Sequence, residues 1–486
     1  MKGFPLAPCP VDLVHEDFTR VVESDEQFLR FAHRVSAQPY AAVLLSGGPV
    51  QAQEENRYSM VAWDPQLIFS SKGHSAKIIS SCGTLSSNTH PLELLDELSA
   101  AFQPQFSLVS APFSGGAVGY FSYDLKNVLE RLPQTAVDDL QLPDVLLFWP
   151  RRLVIYDRFS QQSRWLELVY QGDGLKNAVR QEKTSGRVDV TSAPEKLLEG
   201  EAGDRFVLGP LTSNFSHAEY LQAVRRVRQY IRAGDVYQVN LSQRYQFPFA
   251  GDPFQLWRSL HEINPAPFYA LVQAGDHQVL STSMERFLRR QGQYLETRPI
   301  KGTRKRGGTD WEDQRLKQEL LHSAKDDAEL SMIVDLLRND LGRVCLPRTI
   351  RVAEHKRLES YQNVHHLVSI VIGSLAERAT YGDLIRATFP GGSITGCPKI
   401  RSMEIIDELE PTVRHIYTGS IGYLGWHQNM DLNIAIRTAL VHKGVCYFSV
   451  GGGIVYDSNE EDEYQETLHK GRTLFQVINR IGERSR

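Results

Sequence analysis

Two periods organise the apolar positions of this 486-residue chain. From Phe28 to about Tyr170, β-rich runs such as YAAVLL, AKIIS, DVLLFW and RLVIYD are separated by glycine, proline and serine, which predicts strands with few helices. The period then changes. In SHAEYLQAVRRVRQYIRAGD, Leu221, Val224, Val227 and Ile231 recur at helical spacing, Ser216 and Glu219 form a capping box, and Gly234 closes the helix. Next, VYQVNLSQRYQF alternates Tyr237, Val239 and Leu241 with Gln238, Asn240 and Ser242, the pattern of a strand with one buried face. Strand signals return at FYALVQ, GSIGYLGW and YFSVGGGIVY, divided by helical patterns at DDAELSMIVDLLRNDLG, PKIRSMEIIDEL and DEYQETLHKGRTLFQVI. Strand groups with hairpin-like neighbours, divided by helices, predict an α+β fold on antiparallel sheets rather than a doubly wound parallel one. The polar, Gly/Ser-containing stretch from Gln171 to Asp204 reads as a linker. It divides an N-terminal region, 1–205, from a C-terminal region, 206–486.

Composition narrows the partners. With 54 basic against 58 acidic residues the net charge is only -4, so no global field recruits nucleic acid or an anionic membrane. No apolar run approaches the length of a membrane span. Cys9, Cys82, Cys345, Cys397 and Cys446 are odd in number and lack CxxC spacing, which argues against a disulfide framework or zinc site and fits a reducing cytoplasm.

Several polar residues sit where chemistry needs them. Lys301 in RPIKGTRKRG lies between Ile300 and Gly302, on the apolar side of a cationic cluster. Glu285 in STSMERF precedes it within hairpin-like sequence and could face it across adjacent strands. Glu463, Glu466 and Lys470 fall at i, i+3 and i+7, hence on one helix face, either a solvated acidic start or a site. Gly451, Gly452 and Gly453 end a strand, where bare backbone can approach an anion or form a bulge. Glu329 adjoins a core face of Leu330, Ile333, Val334 and Leu337, where a lone carboxylate is usually solvated, whereas two or three such carboxylates converging would suit Mg²⁺. GGSITGCPKI fails as a P-loop, because Cys397 and Pro398 stand where Lys-Ser/Thr is needed. What remains is a glycine-rich turn at a helix N-terminus. Arg437, in the apolar run LNIAIRTALV, requires a carboxylate mate from the protein or a ligand. His366 beside Leu367 and Val368 reads more readily as a satisfied core histidine than as an acid or base.

Together STSMERF, TRPIKGT, ELSMIVDLLRNDLG, GGSITGCPKIRSMEII, YTGSIGY, NIAIRTAL, VGGGIVYDS and EYQETLHK resemble the signature of the chorismate-utilising enzymes, in order from about Ser216 to Val477. NRYSMVAWDP and GGAVGYFSYD are similar to the N-terminal companion region of anthranilate and aminodeoxychorismate synthase large subunits. The resemblance implies two large antiparallel sheets packed face to face with helices outside. Because Pro299–Thr303 reads PIKGT rather than the PIAGT usual in anthranilate synthases, it implies the branch that makes 4-amino-4-deoxychorismate on the way to 4-aminobenzoate and folate. Ammonia would come from a partner glutamine amidotransferase. It further implies Lys301 as covalent nucleophile and Glu285 as general acid. Glu329 and Glu466, with Glu463 close by, would be Mg²⁺ ligands. Gly302, Thr303, His366, Tyr417, Arg437, Gly451, Gly452, Gly453 and Lys470 would hold chorismate. Met284 departs from the family's usual proline. VLLSGGPVQAQEENRYS lacks the LLES sequence that binds regulatory tryptophan, so feedback inhibition is not expected. Anthranilate synthase, isochorismate synthase and a regulatory subunit without turnover are the competing readings. Intact Lys301, Glu285, Glu329 and Glu466 disfavour the last.

Overall fold

The computed structural model describes residues 8–17, 22–48, 56–107, 111–171, 207–362 and 364–484. Apart from Gln171, the stretch read as a linker lies outside these residues. In the N-terminal half the chain forms β1 (Cys9–Asp17), helix α1 (Asp25–Ser36), β2 (Ala42–Leu45), β3 (Tyr58–Lys72), α2 (Pro91–Ala101), β4 (Gly116–Phe121), β5 (Val145–Asp157) and β6 (Gln162–Tyr170). As predicted, strands outnumber helices there, although α1 takes residues from Phe28 to Ser36 that the strand reading included. Its period is helical, burying Phe28, Phe31, Ala32 and Val35 beneath a Ser24 cap.

The C-terminal half opens with α3 (His217–Ala233), which has the predicted Ser216–Glu219 capping box and a left-handed Gly234. Its buried stripe is Tyr220, Ala223, Val224 and Val227, so Leu221 and Ile231 lie at the margin. Strand β7 (Gln238–Ala250) and helix α4 (Pro253–Ile263) follow, then β8 (Tyr269–Gln273) and β9 (His277–Ser281). Strands β10 (Arg286–Gln291), β11 (Tyr294–Arg298) and β12 (Ile300–Lys305) lead to α5 (Ala324–Gly342), β13 (Arg351–Ser360) and β14 (Val364–Ser374). The chain ends with α6 (Lys399–Leu409), β15 (Ser420–Gly425), β16 (Asn429–Asn433), β17 (Thr438–His442), β18 (Val445–Ile454) and α7 (Glu460–Arg484).

These strands form the expected pair of large antiparallel sheets. One runs β7, β18, β17, β9, β8, β2 and then into the long β3–β5 ribbon, continuing to β6 and β1. The other leaves the same ribbon through β4 to β15, β16, β10, β11, β14 and β13, with β12 beside β14. The ribbon serves both because β3 and β5 are long and change register around Pro65. β2 pairs with β8 and β4 with β15, so both halves of the sequence complete both sheets.

Between the sheets lies an apolar layer that includes Val272, Val279 and Leu440 from one and Tyr120, Phe287 and Leu432 from the other. Helices α1, α4 and α7 cover the outer face of the first sheet through Phe31, Trp257 and Leu474. Helices α3 and α6 pack on β7 through Val224, Val227, Ile405 and Ile406. β7 therefore departs from the half-buried strand expected. Val239 and Leu241 are buried, but so are Gln238, Ser242, Gln243 and Arg244, whereas Tyr237 is 70% exposed. Its polar residues bind protein rather than water: Ser242 donates to Glu410 Oε1, Gln243 to Thr467 Oγ1 and Arg244 to Asp139. Among the described residues no helix is long and apolar enough to cross a membrane.

The β10–β11 hairpin, whose open end carries Glu285 before its first strand and Lys301 just after its second, is fixed by charge. Arg286 and Glu296, each with only 3% of the side chain exposed, pair at 2.8 Å, and Arg286 also reaches Asp431 at 2.9 Å. Arg298 donates to Glu296 at 2.6 Å. Burial alone would raise the Glu296 carboxyl, but Arg298 and Arg286 outweigh it and hold it down at about 2, against an ordinary 4.5. A carboxylate lowered in the native state stabilises the fold above its unfolded value, and that stability is lost as pH falls through the native one. We expect this group to account for about 3 kcal/mol of denaturant stability lost between roughly pH 5 and pH 2. Glu296→Gln should be destabilised at neutral pH and show a flatter acid slope. Equal urea midpoints for the two proteins across that range would contradict the assignment.

Candidate active site

Lys301 owes its position to a break in strand pairing. β12 pairs Lys301 with Leu367 and Thr303 with His366, and the register shifts at Gly302, whose φ is 77°. Glycine adopts that conformation without penalty, and a Cβ there would come within 3.0 Å of Asp326 Cβ and Leu320 Cδ1. The ammonium lies within electrostatic reach of Glu329, Lys470, Glu285 and Glu466. Burial lowers its pKa and Lys470 adds to the effect, against the pull of Glu329, Glu285 and Glu466.

Glu285 immediately precedes β10 and is buried. Its carboxylate accepts from Ser393 Oγ at 2.6 Å and from the Ile300 N–H. Burial pushes its pKa up to about 7 although Ser393, Lys301, the Ile300 amide and Lys470 all oppose this. Acid and amine therefore lie at the same open end of one hairpin, where Arg286 pairs with Arg298, and within electrostatic range of each other.

The three residues on α7 lie over the glycine run. A Cβ placed on Gly452 would sit 3.3 Å from Glu463 Oε2, 3.5 Å from Glu466 Oε1 and 3.8 Å from Lys470 Nζ. Gly451 and Gly453 are closed off on the other side: a Cβ would come 2.7 Å from Leu241 O in the first and 2.1 Å from Gln238 Nε2 in the second. Pairing with β7 is regular throughout, Ser242 to Gly451, Leu241 to Gly452 and Asn240 to Gly453, so the run is not a bulge. Lys470 donates to Gly451 O at 2.9 Å and pairs with Glu466 at 2.7 Å. Burial would raise Glu466, but Lys470, Lys301 and Lys325 outweigh it and lower its pKa. Glu463 is raised by burial, with Glu466 adding; its Oε1 accepts from Ser458 at 2.5 Å while its buried Oε2 has no partner.

Two further groups end in unmatched polar atoms. His366 is buried, with Nδ1 2.9 Å from Thr303 Oγ1 and Nε2 unpartnered. Burial, reinforced by Arg437, pushes its pKa down to about 3, so the ring is neutral at physiological pH. Arg437 has a left-handed backbone, φ 49°, whose carbonyl accepts from the Thr282 N–H and hydroxyl. Among the described residues no carboxylate pairs with its guanidinium, so the mate it requires is left to a ligand. Tyr417 lies between α6 and β15, with the Arg414 guanidinium 6.0 Å from its ring centre and its phenol pKa raised by burial. Tyr220 lies within electrostatic range of Tyr417, Glu463 and Glu466, which puts all three at one end of the site.

Glu329 faces this region from α5, 4.0 Å from Lys325, while Leu330, Ile333, Val334 and Leu337 form the core face as expected. Glu329, Glu463 and Glu466 do not close to metal-ligand spacing. Among the described residues, the group whose ligand atoms lie within 4.8 Å of one another is Asp276, His277 and His442, a potential metal-coordinating triad. There His277 Nδ1 is 2.7 Å from Asp276 Oδ1 and Nε2 is 2.9 Å from the Tyr120 hydroxyl, so protein groups already engage both ring nitrogens. A cavity of about 310 Å³ opens elsewhere, lined by Leu44, Ser46, Arg57, Arg286, Tyr423 and Asp431. It includes the LLS of the stretch where the tryptophan-binding sequence was missed, and none of the residues around Lys301. Sequence reasoning overlooked Ser393 as an individual; its only signal was the glycine-rich turn that carries it.

Comparison with known proteins places this geometry. Residues 48–476 match the family model described as chorismate binding enzyme. Aminodeoxychorismate synthase component 1 of Salmonella typhimurium is 40% identical over 446 residues, covering 91% of this chain and 94% of its own. Anthranilate synthase component 1 of Cereibacter sphaeroides is 37% identical, covering 90% of this chain and 88% of its own. The crystal structure of anthranilate synthase component I from Streptococcus pneumoniae superposes with a TM-score of 0.74 at 30% identity, covering 86% of this chain and 92% of that one.

Because the atoms facing Gly452 are the mobile ends of long side chains, Gly452→Ala should fold, with stability within about 1 kcal/mol of the parent. Displacing Glu463 and Glu466 should still lower kcat/KM on chorismate by ~10-fold or more. Unchanged kinetics in a folded variant would show that the glycine serves packing alone.

Proposed function

This chain belongs to the chorismate-binding enzymes, and from that premise we propose that it converts chorismate and ammonia to 4-amino-4-deoxychorismate, as the large subunit of an aminodeoxychorismate synthase. The observation that carries the reading is Lys301, held in the cleft with a lowered pKa beside an acid at about 7. Identity does not separate this reaction from anthranilate formation, since relatives of both names lie at 40% and 37%. A lysine at this position does favour the first, because anthranilate synthases usually have alanine there.

The chemistry follows from the side chains. Chorismate's C4 hydroxyl is a poor leaving group. Neutral Lys301 adds its amine to C2, both conjugated ring double bonds shift round the ring, and the C4 hydroxyl leaves as water with a proton from Glu285. Ammonia then adds at C4, both double bonds shift back, and the C2–lysine bond breaks, returning the amine while the surplus proton of the added ammonia restores the Glu285 acid. Arg437 supplies the charge for a substrate carboxylate. His366, neutral, offers its free Nε2 to the ring, and Gly302 and Thr303 shape the wall beside Lys301. Tyr417 and the Gly451–Gly453 backbone close the other end. The carboxylates have the chemistry of a hard-cation site and would have to draw together on the ion: Glu463 Oε2 is buried without a partner beside Glu466, above the bare Gly452. Glu329, Glu463 and Glu466 would hold Mg²⁺, which when bound orients and neutralises the ring carboxylate. Ammonia would be delivered by a separate glutamine amidotransferase in the cytoplasm.

Incubation with chorismate, Mg²⁺ and ammonium at alkaline pH should give the 4-amino product by mass and no fluorescent 2-amino product. Lys301→Ala should reduce that product at least ~100-fold while chorismate still binds, and the parent should show a transient adduct that the variant lacks. A 2-amino product, or parental rates from Lys301→Ala, would refute the reading.

Glu329→Ala and Glu466→Ala should each lose most turnover at limiting Mg²⁺ with the fold intact. Near-parental turnover in either would remove that residue from the cation site.

A further inference from the structure

Ser393 belongs to no role assigned so far, yet its hydroxyl is 2.6 Å from Glu285 Oε1 and both side chains are buried. A serine hydroxyl has one proton to give. Donating it to Oε1 fixes the carboxyl plane and favours Oε2 for the transferable proton.

The backbone around Ser393 is built to hold that contact. Gly392–Ile394 forms a single tight turn, and the Thr395 hydroxyl donates to the carbonyls of Gly391 at 3.1 Å and Gly392 at 3.3 Å. Asn240 of β7 donates through Nδ2 to Ser393 O at 3.2 Å and through its backbone N–H to Thr395 O at 2.8 Å. The turn reaches Glu285 only because its first two residues have no side chains. A Cβ on Gly391 would stand 2.7 Å from Ile434 Cδ1, and one on Gly392 2.6 Å from Leu336 Cδ2. Asn240 is also the register partner of Gly453, so one residue ties the acid's support to the glycine run.

We infer that Ser393 is the positioning residue of the acid: its hydroxyl holds Glu285 in one orientation and sets the readiness of that carboxyl to give up its proton. The inference rests on the proposed role of Glu285 for its catalytic consequence, but not for its spectroscopic one. The charged groups facing Glu285 from other elements are Lys301 of β12 and Lys470 of α7, and neither is altered by changing Ser393.

The test is infrared titration of the Glu285 carboxyl band, identified by its loss in Glu285→Gln, together with steady-state kinetics on chorismate and ammonium. In the parent the band should titrate near the value of about 7. A serine that donates to the carboxylate stabilises the anion, so Ser393→Ala should move the midpoint up by about one pH unit and shift the band to the frequency of a less hydrogen-bonded carboxyl. It should also lower kcat by ~10-fold or more with KM unchanged, and Ser393→Thr should restore midpoint, band and kcat. In a Glu285→Gln background the serine change should cause no further loss.

A parental midpoint and band in Ser393→Ala, or a loss that threonine does not restore, would overturn the inference. Parental turnover in Glu285→Gln would instead overturn the acid role, even with the midpoint shifted in Ser393→Ala.

Discussion

His366 and Glu463 are buried with polar atoms that no described residue matches, and the Arg437 guanidinium is desolvated with no described carboxylate beside it; removal of such groups from water costs free energy wherever no partner arrives. Most buried charges in this chain are treated otherwise: Arg286 has Glu296 and Asp431, and Arg414 has Glu410. Buried unpartnered atoms occur elsewhere in the protein too, but His366 Nε2 falls beside the β12 bulge and Glu463 Oε2 beside the glycine run. A cation would satisfy Glu463, a carboxylate Arg437, and a ring donor His366. The site is complementary to a compact anion with its counter-ion, and that complementarity is maintained at the expense of the empty protein's stability.

Such a site needs rigid walls, and the sheet layout provides them. The β3–β5 ribbon belongs to both sheets, so the strands leading to Arg437 and those leading to Glu285 are anchored to the same element. β2 and β4, from the N-terminal half, fill positions without which β8 and β15 of the C-terminal half would be sheet edges. The N-terminal half therefore supports the sheets from which the candidate site is built. Register carries this precision onward: Lys301 is aimed by one irregularity at Gly302, while the glycines facing α7 stay in unbroken pairing with β7.

What could be read from the sequence was whatever a single element decides. Ser216, Glu219 and Gly234 cap α3 by local geometry, and Glu463, Glu466 and Lys470 share a face because of helical spacing alone. Leu330, Ile333, Val334 and Leu337 declared their burial by period. The two-sheet architecture and the site roles came from ordered motifs resembling a family, not from spacing. Three features escaped because neighbours distant in sequence decide them. The polar face of β7 reads as solvated until Glu410, Thr467 and Asp139 arrive to bond it. Whether three glycines form a cradle or a bulge depends on which strand lies beside them. Ser393 looks like any loop serine until Asn240 and Glu285, 153 and 108 residues away, enclose it.

The pairing of Glu285 with Lys301 follows from one physical cause acting on opposite charges. Removal from water disfavours whichever form is ionised, so it raises a carboxyl and lowers an amine. In water the two would exchange a proton at once, giving a carboxylate and an ammonium, which can neither protonate a leaving hydroxyl nor attack carbon. Here Glu285 is brought up to about 7 while Lys301 moves down from above, and the gap that drives the exchange narrows from both sides. Direct Coulomb attraction favours the ion pair, and the cation Lys470 acts on the two groups in opposite senses: it disfavours the ammonium of Lys301 but favours the carboxylate of Glu285, leaving burial as the cause that opposes ionisation of both. Removal from water thus moves both groups toward their uncharged forms, an acid that holds a proton to give and an amine with a free lone pair, which is the combination that proton donation and attack on carbon together require.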